Sequence, residues 1–222
     1  MSGGLEGEVD RLARACRGGR FIPHFRNRPA GQETLEIVAE DDCLMLSIMT
    51  ELEIPGHPMR QLVTARFDRS LRPRGCMLFS GTDPWNLQLD LVVDGRRAVT
   101  RYRNENGRRM ETSVLARTPL LLIDNCFASH ALAGLVVQSL RPREEIYESI
   151  PAFQKLRVTT PGTADVLLGG EGYYAPHATM HLAPGVDEHV WIGNHWVDRL
   201  IIPGMHLRVD WVRDGGVEGG VT

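Results

Sequence analysis

The chain has 222 residues, 42% of them hydrophobic and 24% charged, with 25 Lys plus Arg against 28 Asp plus Glu for a formal net charge of -3. That composition excludes an intrinsically disordered chain, and the near balance of charge leaves no overall basic field pointing to nucleic acid. No apolar run reaches the roughly 18 residues a membrane-spanning helix needs. The first residues, MSGGLEGEVDRLARAC, carry acids and lack the apolar core of a secretory signal, so a cytoplasmic protein is expected. Four cysteines, Cys16, Cys43, Cys76 and Cys126, lie scattered without metal-ligand or disulfide-framework spacing and read as buried, reduced thiols. Neither a metal nor a cofactor is expected.

In chain order, Leu5, Val9, Leu12 and Cys16 recur at helical spacing, which predicts an amphipathic helix over 5–17 ending at Gly18-Gly19. A connection follows, and from residue 28 to 117 the pattern is that of a β meander. Leu35, Ile37 and Ala39 alternate with Thr34, Glu36 and Glu40; Leu44, Leu46, Ile48, Leu52 and Ile54 alternate with Cys43, Met45, Ser47 and Met49, so both faces read as partly covered there. Strands are predicted over 61–68, 74–80 and 85–93, and the Asp94-Gly95 and Asn106-Gly107 turns lead into 96–103 and 109–116.

The stretch from Thr118 to Leu140, TPLLLIDNCFASHALAGLVVQSL, differs from everything around it. A short apolar strand runs through Asp124 and Asn125 into a helical pattern almost free of charge, with apolar or small residues on two faces, so the helix should be buried on both sides. Strands resume over 152–213, with turn signals at Pro184-Gly185, Gly193-Asn194 and Pro203-Gly204, and the tail over 214–222 is expected to be disordered. The whole reads as a single domain. One strong internal helix among many short strands argues against parallel βαβ units. The expected fold is mainly β: a strongly curved antiparallel sheet, a half-barrel or barrel-like, wrapped around one central helix, with the N-terminal helix beside it.

Four segments, PAGQETLEI, ARFDRSLRPRG, LLLIDNCFASHALAGLVV and HVWIGNHWVDRLIIPGMHLRVDW, give the region from about 28 to 213 a pattern that resembles the lipoprotein-carrier-like and glycolipid-binding superfamily of curled β-sheets. The resemblance implies a bent sheet around helices and a hydrophobic ligand. It supplies no catalytic signature.

The expected function is therefore a protein enclosing a hydrophobic small molecule, either as a cofactor-independent cyclase or isomerase of a polyketide-like substrate or as a non-catalytic lipid or glycolipid binder. For the catalytic version the candidate acid and base groups are Asp124, His130, Tyr174 and His177, because imidazole titrates near neutrality and Tyr can donate a hydrogen bond to a carbonyl. Asp124 and Asn125 equally suit capping of the helix, and Cys126, one turn before His130, reads as a buried inert thiol or an activated one. Met45, Met49, Trp85, Trp191, Trp196 and Met180 are candidates for an adaptable apolar pocket or for plain core. Arg96, Arg97, Arg101, Arg103, Arg108 and Arg109 crowd one hairpin, as a solvated face or as a dock for an acidic partner such as a carrier protein.

Overall fold

The computed structural model describes residues 11, 12, 14, 16–40, 42–54, 57–81, 86–139, 146–159, 165–174, 176–193 and 196–213. Among them are eighteen strands: β1 (Gly19–Phe25), β2 (Arg28–Pro29), β3 (Gly31–Ala39), β4 (Cys43–Ile54), β5 (His57–Asp68), β6 (Pro73–Gly81), β7 (Leu87–Asp94), β8 (Arg97–Asn104), β9 (Gly107–Val114), β10 (Pro119–Leu121), β11 (Ile146–Ile150), β12 (Gln154–Thr159), β13 (Val166–Leu168), β14 (Glu171–Tyr173), β15 (Ala178–Ala183), β16 (Val186–Ile192), β17 (Val197–Ile202) and β18 (Leu207–Arg213). One α-helix, α1 (Phe127–Ser139), lies between β10 and β11, and a single 3-10 turn, Pro203–Met205, lies between β17 and β18.

Sixteen strands form one sheet in the order β10-β11-β12-β15-β16-β17-β18-β1-β3-β4-β5-β6-β7-β8-β9, with β2 against β1, while β13 and β14 make a separate hairpin. The two ends of that path, β9 and β10, are consecutive in the chain and joined by residues 115–118. At about 3.8 Å between successive Cα atoms, the end of β9 and the start of β10 lie no more than about 19 Å apart. Laid flat at about 4.8 Å per strand, the path would separate its edges by about 67 Å. The sheet must therefore curl back on itself. It does not close, because β9 and β10 do not pair, so the expected barrel is an open one.

The curl is what the central helix requires. Every residue of α1 from Phe127 to Val137 is buried, and the helix touches β3, β10, β15, β16 and β17. A helix apolar all round must be covered all round. Ala128, Ala131 and Ala133 keep its surface shallow, and Gly134 lets it press directly on the sheet: a Cβ there would stand 2.8 Å from Val190 Cγ1. One core joins Phe21, Leu46, Val63 and Leu91 of the first strands to Leu132, Tyr147, Met180 and Leu200 of the later ones.

Four expectations change. The sheet is mixed, because β10 and β11 pair in parallel, Pro119 with Glu148 and Leu121 with Ile150, and α1 connects them: a compact βαβ unit stands where none was expected. Residues 146–150, IYESI, which precede the strands expected from 152 on, form a buried strand with Tyr147, Ser149 and Ile150 inward, and FIPHF, in the expected connection after the N-terminal helix, is β1, paired along its length with β18. The face of β4 that carries Met45 and Met49 is not covered; Met49 is 48% exposed. Most of the N-terminal helix expected over 5–17 lies outside the described residues. At its end Leu12 is buried and the Cys16 amide donates to the Leu12 carbonyl at 3.0 Å, one helical turn. The tail after residue 213 also lies outside them, and no helix among the described residues is long and apolar enough to cross a membrane.

Placing a branched side chain at the closest helix–sheet contact tests this packing. Gly134→Val should destabilise the fold by about 1–3 kcal/mol through overpacking against Val190, read as a lowered urea midpoint with an unchanged m-value.

Candidate functional site

Two places in the fold concentrate polar groups: the buried start of α1 and the outer face of the sheet over β4 to β9. At the first, the helix begins with the Ile123–Phe127 turn, in which Asn125 adopts a left-handed backbone (φ 59°). The free amides of the first turn are not capped by Asp124 or Asn125, both of which are exposed. They are capped from across the core. The Glu33 carboxylate on β3, fully buried, accepts hydrogen bonds from the Phe127 amide at 2.9 Å, the Ala128 amide at 2.6 Å and the Thr50 hydroxyl on β4 at 2.6 Å. Gln61 on β5 continues this inward row, donating to the Asp124 carbonyl at 2.9 Å.

One turn along the helix, His130 Nδ1 lies 2.5 Å from Glu188 Oε2 on β16, and Nε2 lies 3.2 Å from the Ile123 carbonyl. Both partners only accept, so the network assigns a proton to each ring nitrogen. Burial alone would depress the His130 pKa, but the charge and hydrogen bond of Glu188, with Asp124 and the Ile123 carbonyl behind them, raise it above its ordinary 6.5. For Glu33 the balance differs: burial pushes it up to about 7, against the opposing pull of its three donors and of His130. Cys126, fully buried beside Glu33, has its thiol pKa raised well above 9.0 by burial first and by that carboxylate second, which makes it an inert core thiol. All four cysteines are free and buried.

The candidate acid and base residues divide between two locations. Asp124 and His130 both lie near the helix start, Asp124 exposed and His130 buried with no ring nitrogen left to offer a ligand. Tyr174 is 63% exposed and accepts the Trp191 indole N–H through its carbonyl, while half-buried His177 donates its amide to Val190. No hydrogen bond among the described residues links the two pairs. The candidate pocket residues do not share a cavity either. Met180 and Trp196 are in the main core, Trp191 belongs to a small second core with Val166, Leu168, Tyr173 and Ile201, and Met45 and Met49 face outward; Trp85 lies outside the described residues.

Glu33 and Glu188 were not among the expected site residues, although the sequence carries a signal for both. Each occupies the apolar phase of its strand, Glu33 in step with Leu35 and Ile37, Glu188 in step with Val190. A carboxylate in that phase must find a buried partner.

The outer face is built by register. Met49, Leu62, Phe79, Gln88, Arg103 and Arg108 are successive cross-strand partners on β4 to β9. Beside that row, Met77 is 45% and Val92 45% exposed, so the apolar character extends sideways. At the β8–β9 end a cavity of about 450 Å³ is lined by Gln88, Tyr102, Arg103, Arg108, Met110 and their neighbours. Of the arginines around it, Arg101 pairs with Asp90 at 2.9 Å and Arg109 pairs with Glu111. Arg103 and Arg108 stand directly opposite one another, and among the described residues neither has a carboxylate partner. Like charges in that position repel, so the pair favours an anion between them.

No protein-family model matches the chain, and no curated protein matches its sequence. Among solved structures the chain is similar to a DUF1089 family protein from Pseudomonas aeruginosa, at 13% identity and a TM-score of 0.41, over 78% of this chain and 90% of that one. A likeness at that level leaves the function to be read from the residues themselves.

The buried groups make two predictions. An acid whose pKa is raised on folding holds its proton more tightly in the native state, so the Glu33 contribution makes stability fall as pH climbs from 4.5 to about 7. Thermal melts across that window should show the fall in the parent protein and a flatter profile in Glu33→Gln. Glu188→Ala leaves a buried imidazole without its counter-charge and should cost about 3–5 kcal/mol in denaturant unfolding at neutral pH.

Proposed function

We propose that the protein binds an anionic amphipath, in the class of fatty acids and acidic lipids, on an outer-face row that itself performs no chemistry. The acidic head sits between Arg103 and Arg108, and the apolar chain lies along Phe79, Leu62 and Met49. The observation that carries this reading is the unbroken row from two arginines without a carboxylate partner among the described residues, through the amide of Gln88, onto an apolar stripe of half-buried Phe79 and exposed Leu62 and Met49. Four strand spacings of about 4.8 Å put Met49 about 19 Å from Arg103, a span suited to a long acyl chain.

Each component of such a ligand meets its chemical complement. Guanidinium forks bind carboxylate or phosphate bidentately, and methionine side chains adapt to a flexible tail. Met110, on the same face as Arg103 and Arg108, adds an apolar wall beside the charged head. The cyclase or isomerase reading is less well supported, because Asp124, His130, Tyr174 and His177 do not converge and Glu33 has its oxygens occupied by three donors. The hydrophobic ligand foreseen inside the sheet is thus moved to its outer face. An acidic carrier protein would use the same arginines, and it differs in needing no acyl row.

Calorimetric titration with oleate and with oleyl alcohol tests the assignment. Oleate should bind more tightly than the alcohol and lose affinity as salt is raised. Arg103→Glu with Arg108→Glu should weaken oleate by about tenfold or more, since each charge-assisted hydrogen bond is worth about 1.5–3 kcal/mol. Leu62→Glu should weaken both ligands. Equal binding to all of these variants would contradict the proposal, and binding of an acidic carrier protein without binding of oleate would favour the second reading.

A further inference from the structure

A second constellation lies away from the arginine row, on the face of β12, β15 and β16 that points away from α1. Thr159 Oγ1 is 3.2 Å from His181 Nε2, and His181 Nδ1 is 2.7 Å from Asp187 Oδ1. The register fixes all three on adjacent strands: Thr159 pairs with Thr179, two residues before His181, and His181 pairs with Asp187. Asp187 can only accept, so His181 carries its proton on Nδ1 and in the neutral ring presents the Nε2 lone pair to the threonine hydroxyl. That is the arrangement of a nucleophile, a base and the group that orients the base.

The chain of groups is reachable. The His181 and Asp187 side chains are 34% and 45% exposed, and Thr159 is half-buried. Arg157, exposed and paired with His181 in the ladder, adds a cation to the same face. A second hydroxyl–imidazole pair, Thr179 Oγ1 with His189 Nδ1 at 3.0 Å, flanks the first, with Trp191 beyond it. Rigid strands hold each of these groups, which is the support a reacting geometry needs.

We propose that Thr159, His181 and Asp187 form an acyl-transfer site for carboxylic esters, with Thr159 as nucleophile, His181 as general base and Asp187 as its positioning residue. In the first step the Thr159 oxygen bonds to the ester carbonyl carbon and its proton passes to His181 Nε2. The carbon–oxygen bond to the alcohol then breaks, and the alcohol leaves with that proton. Water, losing a proton to the same nitrogen, attacks the threonine ester. The carboxylic acid departs and the proton returns to the Thr159 oxygen, so the sum is ester plus water giving acid plus alcohol.

The full chain incubated with p-nitrophenyl acetate tests this directly. Intact-mass analysis at early times should show one acetyl group, mapped by peptide digestion to Thr159, with release of p-nitrophenolate. Thr159→Val, which keeps the shape and removes the hydroxyl, should abolish both; Thr159→Ser should retain them. His181→Gln and Asp187→Asn should slow release by about tenfold or more while circular dichroism stays unchanged. Acetylation at other residues only, or release at the parent rate from Thr159→Val, would overturn the assignment.

Discussion

The Glu33 carboxylate is the point at which the two halves of the chain are tied together. It belongs to β3, in the first meander, and it satisfies the first amides of α1, nearly a hundred residues later. A helix start buried without such a partner would leave several donors unsatisfied in an apolar core. The helix needs Glu33, and Glu33, placed in the apolar phase of its strand, needs the helix. Thr50 on the neighbouring strand closes the arrangement from the other side. His130 and Glu188 repeat the device one turn further on, fastening the helix to β16.

With α1 fixed in this way, the shape of the sheet follows. Strands far apart in the ladder order must reach one apolar cylinder, so the sheet curls until β9 and β10 are separated by only a short connection. The curl turns the concave side onto α1 and the main core and leaves the convex side open over β4 to β9, while the β13–β14 hairpin covers part of it at Trp191 and Ile201. It is on the convex side that the unexplained chemistry lies. The row from Arg108 to Met49 and the chain from Thr159 to Asp187 both depend on cross-strand register for their order, and neither uses the buried acids that hold the fold.

Much of the architecture was legible in the sequence because it is periodic. The alternation in β3, β4 and β7, the hairpins at Gly95-Arg96 and Glu105-Asn106, each within one residue of the expected turn, and the two-sided burial of α1 all come from local patterns. What local patterns do not contain is pairing. FIPHF does not look like a strand until β18 lies beside it, and the parallel contact between β10 and β11 depends on a helix bringing the chain back. The same holds for the site. His177 and His181 share a face in the sequence, but only the neighbouring strands decide that His181 receives Asp187 and Thr159. Met45 and Met49 alternate with core residues and so invite a pocket assignment; which face of β4 meets the helix is a tertiary fact.

The proposed function depends above all on the ligand lying on the outer row and not inside the sheet. Photo-crosslinking with a diazirine-bearing fatty acid, followed by peptide mapping, reads that location directly. Labels are expected on Met49, Leu62, Phe79 and their outward neighbours, and should be lost when Arg103 and Arg108 are both replaced by Glu. Labels concentrated on inward residues such as Met180, Leu132 or Val137 would contradict it.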